Sequence, residues 1–116
     1  PSVSLISLGS NRALSDHLGQ ELSPKRWRAN FWIDGLAPFS EYELIGHHVR
    51  LGGAVLEIVE PIIRCLATTA NPDTGRRDAD TLGALKSGYG HQNFGLYARV
   101  IESGPVGVGD GFAVLP

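Results

Sequence analysis

Short runs of alternating apolar and polar residues, each stopped by glycine, proline or asparagine, recur along this chain and leave little room for helix. Fifteen of its 116 residues are glycine, and a fold interrupted so often is assembled from short strands. Residues 2–8 are β-prone, with Val3, Leu5, Ile6 and Leu8 apolar. Gly9, Ser10 and Asn11 are then placed to cap a short helix carrying Leu14 and Leu18 on one face, which Gly19 stops. Residues 30–34 alternate, with Phe31 and Ile33 on one face and Asn30, Trp32 and Asp34 on the other, until Gly35 breaks the run. Residues 49–51 and 54–59 flank Gly52-Gly53, which predicts a hairpin. Asn71-Pro72-Asp73-Thr74-Gly75 is dense turn chemistry and residues 81–86 suit a second short helix, both as surface features. Phe94, Leu96, Ala98 and Val100 alternate with Gly95, Tyr97, Arg99 and Ile101. The glycine-rich run 104–111 then reads as hairpin chemistry before a last strand around Phe112 and Val114. The expected fold class is mainly β, a barrel-like domain with a few short helices.

With 42% hydrophobic and 19% charged residues, the chain can bury the core of one domain, taken as residues 1–116. A net charge of -2 argues against a nucleic-acid partner, so the basic cluster Lys25-Arg26-Trp27-Arg28 is read as an ordinary surface turn. No apolar run approaches the roughly 20 residues that span a bilayer, and no stretch has the build of a secretory leader. No membrane partner is therefore expected. One cysteine cannot close an internal disulfide, which is compatible with a reducing compartment, by default the cytoplasm. The chain has no methionine and opens on Pro1 ahead of an apolar run, so it is expected to be a piece of a longer protein.

That cysteine, Cys65, stands where the apolar run ending at Ile63 gives way to a turn. A thiol serves as nucleophile or metal ligand only as thiolate, and a guanidinium beside it, here Arg64, favours that form. The hydroxyls of Thr68 and Thr69 add groups suited to an anion or oxo-metal site. Set against this, a lone cysteine in a β protein is ordinarily a buried small hydrophobe. His17, His47, His48 and His91 have no spacing that suits zinc, and run 104–111 leads into a strand, where a phosphate-binding loop would lead into a helix. No flavin, haem or iron–sulfur signature is present, so any electron donor would be another protein.

Arg28-Ala29-Asn30-Phe31-Trp32-Ile33-Asp34-Gly35, Glu41 soon after, Arg64-Cys65-Leu66-Ala67-Thr68-Thr69-Ala70-Asn71-Pro72-Asp73-Thr74-Gly75, Phe94-Gly95-Leu96-Tyr97-Ala98 and Val108-Gly109-Asp110 together resemble, in order and spacing, the MOSC domain found at the C-terminus of molybdenum cofactor sulfurases. The cysteine segment is also similar to that of the mitochondrial amidoxime-reducing component. The resemblance implies a MOSC-type β-barrel and a molybdenum cofactor of molybdopterin type, with Cys65 as molybdenum ligand and catalytic residue. It further implies cofactor-binding roles for Arg28, Asn30, Arg64, Thr68 and Tyr97. In the sulfurase branch the cysteine is instead proposed to carry a persulfide. Members of the family are also associated with pyridoxal phosphate binding. Ala29 replaces a proline common in the family, which loosens the local backbone without displacing its neighbours. Nothing here matches the N-terminal portion that closes the family's barrel, so the cofactor is expected to be absent from this piece.

Three functions follow from the resemblance. The first is a molybdenum-dependent oxidoreductase reducing N-hydroxylated substrates, fed by a redox partner protein. The second is a sulfur-carrier module loaded by a sulfur donor, and the third a catalytically silent binding domain with Cys65 buried.

Overall fold

Ser7 ends the first strand and starts the first helix at the same residue. Strand β1 (Ser2–Ser7) runs directly into helix α1 (Leu8–Leu18) because the Ser7 backbone is extended while its Oγ accepts the Ser10 N–H at 3.2 Å. The cap is thus Ser7, and Gly9, Ser10 and Asn11, expected to cap, lie buried in the first turn. Gly9 is needed there for another reason: a Cβ on it would stand 2.7 Å from the Leu36 carbonyl oxygen. Gly19 ends the helix in the left-handed region, as expected.

The computed structural model describes residues 2–116; Pro1 lies outside them. After α1 come β2 (Phe31–Ile33), β3 (His48–Leu51), β4 (Ala54–Ile63), α2 (Thr81–Tyr89), β5 (Asn93–Glu102) and β6 (Phe112–Val114). The six strands form one sheet, ordered β2-β1-β5-β4-β3-β6, curled into a half-barrel. Only the β1–β2 pair is parallel among the described strands. One apolar cluster gathers Leu5, Ile33, Val49, Leu56, Ile58 and Leu96. The other places Ile6, Leu14, Leu22, Trp27, Leu85 and Phe94 under the two helices. Adjacent Leu5 and Ile6 fall in different clusters because successive strand side chains point to opposite faces.

Three expectations are corrected. Phe94 and Leu96, read as one face, belong to different clusters, because Gly95 at φ 89° and a register shift opposite Pro61 and Ile63 turn β5 between them. The run 104–111 is no hairpin: β5 already has β1 and β4 as neighbours, so the chain crosses the β3–β4 turn and β6 pairs antiparallel with β3. Gly53 N donates to Pro105 O at 2.9 Å, and a Cβ on Gly104 would collide with the Gly53 carbonyl oxygen, so the crossing requires glycine. Finally, α2 is a surface feature on one side only: Lys86, Ser87 and Gly88 are exposed, while Thr81 and Leu85 are wholly buried against the rest of the fold. Its Asp80 cap accepts the Gly83 N–H at 3.0 Å.

Glu41 opens a short 3₁₀ turn (Glu41–Leu44) and is buried with both carboxylate oxygens within 2.9 Å of Ser10 Oγ. Burial raises its pKa above the usual 4.5, outweighing the hydrogen bonds that favour the anion. The folded state therefore keeps a proton that the unfolded chain releases first. Stability is highest below the unfolded value and falls as pH rises through the folded one. Glu41→Gln should flatten that slope, so urea midpoints of wild type and variant, compared from about pH 4 to pH 7, should converge at the acid end and part above it. Parallel profiles would assign the slope to other groups.

Candidate functional site

Strand β4 outruns its hairpin partner β3 and carries the chain to Ile63, where Arg64 and Cys65 follow. Cys65 is extended, at φ −125° and ψ −175°, and precedes a one-turn 3₁₀ helix (Leu66–Thr69). Its thiol is free and exposed, which contradicts the buried cysteine of the silent-domain expectation. Thr68 N and Oγ1 both donate to the Cys65 carbonyl, at 3.2 and 3.0 Å, and Thr68 Oγ1 also meets Thr81 Oγ1 of α2 at 2.9 Å. The strand end is thereby tied to a helix.

Cys65 opens on a cleft of about 310 Å³, whose wall also includes Arg28, Arg64, Thr68 and Tyr97. Five of the six residues to which the resemblance gave site roles therefore meet in one place, while Thr69 is outside the wall and donates its hydroxyl to Leu66 O. Asn30 is not in the wall: its Oδ1 accepts from Ser4 N at 2.8 Å and Ser4 Oγ at 3.1 Å, while its own N–H donates to Ser4 O at 3.0 Å. It fastens the chain to β1, and Ser4 itself lines the cleft. Tyr97 projects from β5 at the rim, 43% exposed. Arg28 is exposed and left-handed at φ 55°, a conformation costing a non-glycine residue about 1–2 kcal/mol.

Arg64 is the clamp of the site. Its Nε donates to Phe94 O at 2.7 Å and its Nη1 to Trp27 O at 3.0 Å, while its guanidinium lies 5.3 Å from the Trp27 ring centre. Burial pushes its pKa below the ordinary guanidinium value, yet an arginine remains charged near neutrality. Its Nη2 is buried with no partner. Lysine places its donors on a single nitrogen and cannot reproduce the spacing of Arg64 Nε and Nη1. Arg64→Lys should therefore lower unfolding free energy by about 1–3 kcal/mol, the cost of leaving a buried acceptor unmet, as read from the urea midpoint. A variant as stable as wild type would show these bonds to be dispensable.

The basic cluster expected to be a surface turn is a turn with Lys25 and Arg28 exposed, but its two central residues are not at the surface. Residues Pro24–Trp27 form a 3₁₀ turn in which Arg26 and Trp27 are 5% and 1% exposed. Trp27 stacks on Phe94 at 3.9 Å and donates its Nε1–H to Asn11 Oδ1 at 2.7 Å. Arg26 borders the cleft and bonds the carbonyls of Thr68 and Ala70 and the carboxylate of Asp78. The tryptophan within the cluster was the available signal, since a large aromatic is usually buried. Among the described residues no three His, Cys, Asp or Glu side chains gather as a metal-binding cluster, and no helix is long and apolar enough to cross a membrane.

A curled, mostly antiparallel half-barrel with two small helices and a cysteine at a strand-to-turn junction defines the class of β-domain to which this chain conforms. The family model described as the MOSC domain matches residues 2–113. The chain belongs to the MOSC domain family. It is 32% identical over 120 aligned positions to mitochondrial amidoxime-reducing component 1 of Xenopus laevis, covering 93% of this chain and 34% of that protein. It is 31% identical over 94 positions to the molybdenum cofactor sulfurase of Drosophila grimshawi, covering 80% of this chain and 12% of that one. The chain thus spans about a third or less of these curated relatives. Crystal structures of YiiM from Geobacillus stearothermophilus and Escherichia coli superpose with TM-scores of 0.69 and 0.66, at 14% and 15% identity. Each aligns with 98% of this chain over 54% of its own, and at that identity the likeness is one of fold.

Proposed function

We propose that this domain holds a molybdenum cofactor in the Cys65 cleft as part of an oxidoreductase acting on N-hydroxylated substrates. The observation that carries this reading is an exposed thiol opening on a cleft walled by Arg26, Arg28 and Arg64. The donor set suits the group: thiolate is a soft ligand for a transition metal, and guanidinium matches a phosphate. Arg26 Nε and Arg64 Nη2, both buried without partners, leave donor capacity unused at this site. In this reading Cys65 Sγ ligates the metal, Arg28 and Arg64 neutralise the phosphate of the pterin, and Thr68 holds the cysteine turn. Tyr97 closes the rim and Asn30 supports the Arg28 segment from behind. The bound group would supply the two-electron redox chemistry that no side chain of the cleft provides. Electrons would come from a separate redox protein, in keeping with relatives that include an amidoxime-reducing component.

Exposure of the thiol also favours a second reading, in which Cys65 carries a persulfide delivered by a sulfur donor, and one relative is a molybdenum cofactor sulfurase. Molybdenum and pterin analysis of the full-length protein, made in cells that synthesise the cofactor, tests the first reading directly. Iodoacetamide labelling separates the two: a metal ligand is shielded while the cofactor is bound, whereas a carrier must react quickly. Equal labelling of cofactor-free and cofactor-loaded protein would remove Cys65 as ligand and favour sulfur transfer.

A further inference from the structure

We infer that Arg26 is the positioning residue of the cysteine turn, acting on Cys65 through Thr68; the inference rests on the proposed use of that thiol. The last carbonyls of a helical turn lack partners within it and must find them elsewhere when buried. Arg26, 5% exposed, supplies them: its Nη1 donates to Thr68 O at 3.1 Å and Ala70 O at 3.4 Å, while its Nη2 pairs with Asp78 Oδ1 at 3.0 Å. Asp78 is held in turn by Asn71 Nδ2 at 2.9 Å, and its own N–H donates to Thr69 O at 3.0 Å. One guanidinium therefore fastens both the turn and the loop that follows it.

Transmission to the thiol runs through a single residue. Thr68, whose carbonyl Arg26 holds, reaches back with its N–H and its hydroxyl to the carbonyl of Cys65. Displacing Thr68 moves the peptide group that carries the thiol. An ion pair whose carboxylate is open to solvent adds little stability of its own, whereas fixing a reactive side chain requires the rigid, hydrogen-bonded support found here.

Amide hydrogen exchange and iodoacetamide labelling of Cys65 in Arg26→Gln, Thr68→Val and the double variant test the inference. Exchange at Thr68, Ala70 and Asp78 should quicken about tenfold or more in Arg26→Gln, while Val49 and Leu56 in the β3–β4 hairpin keep wild-type rates. The labelling rate should change about threefold or more, and Arg26→Gln should add less once Thr68 is valine than it does in wild type, because the valine removes the hydroxyl link to Cys65 O and leaves only the Thr68 N–H, and effects sharing one path are not additive. Arg26→Lys should recover part of both effects. Exchange that quickens equally everywhere, or additive labelling effects, would reduce Arg26 to a stabilising residue and overturn the inference. If Arg26→Gln fails to fold, Asp78→Asn decides: unchanged exchange at the three turn amides also overturns it. A full-length protein devoid of molybdenum would instead refute the cofactor reading and leave the positioning of Cys65 standing.

Discussion

Trp27→Ala is expected to cost about 3–5 kcal/mol, the range for truncating a buried aromatic, and so a large share of the roughly 5–15 kcal/mol that stabilises a domain of this size. Trp27 is 1% exposed and is the largest buried side chain of the cluster beneath the helices. Truncation removes its stacking on Phe94 and its contact with the Arg64 guanidinium, and leaves Asn11 Oδ1 without its donor. The loss is not local, because Asn11 Nδ2 also donates to Leu22 O at 2.8 Å and thereby joins α1 to the connection that leads into β2. Chemical denaturation followed by near-UV circular dichroism would show a lower midpoint. Trp27→Phe should recover most of the packing and leave only the hydrogen bond missing. A Trp27→Ala domain within about 1 kcal/mol of wild type, the effect of an ordinary point change, would mean that the cluster closes without its central ring.

Cys65→Ser is expected to leave stability close to wild type and to abolish molybdenum retention or persulfide loading, whichever the full-length protein shows. The side chain is exposed and neither donates nor accepts a recorded hydrogen bond among the described residues, so a near-isosteric exchange has little folding energy to remove. What it removes is the soft, ionisable sulfur, and a serine hydroxyl does not ionise near neutrality or bind soft metals comparably. The measurements are the thermal midpoint, expected within a degree or two by the usual scaling of small free-energy changes, together with metal content and cyanide-releasable sulfur. A serine variant retaining full molybdenum and full sulfur loading would refute both proposed chemistries at once. Its contrast with Arg64→Lys is informative, since that change is expected to reduce both stability and cofactor retention.

Much of the strand architecture was legible because alternation is a local property. The β3–β4 hairpin follows from two apolar runs around Gly52-Gly53, and Phe31, Trp32 and Ile33 alternate in burial as their polarity pattern requires. The cleft was legible in the identities of Cys65, Arg28, Arg64, Thr68 and Tyr97, which the family resemblance singled out from three separated segments. Asn30 was legible as a residue of the same segment, and its engagement with Ser4 was not, because that bond joins groups 26 positions apart.

What the sequence by itself determined was the set of strands, the glycines that end them, and the family membership carried by motifs in order. Only the tertiary structure decided that Arg26 and Trp27 of the basic cluster would be internal while Lys25 and Arg28 stay exposed. Arg26 looks like any solvated arginine until the carbonyls of Thr68 and Ala70, more than 40 residues later, are brought against it and need a donor. Tertiary structure also decided that β6 would pair with β3, because strand order depends on which edges remain open once β1 and β4 have taken both sides of β5. Periodicity records which face of a segment avoids water. It carries no record of which distant carbonyl, ring or strand edge will meet that face, and the placement of Cys65 among arginines depends on those meetings.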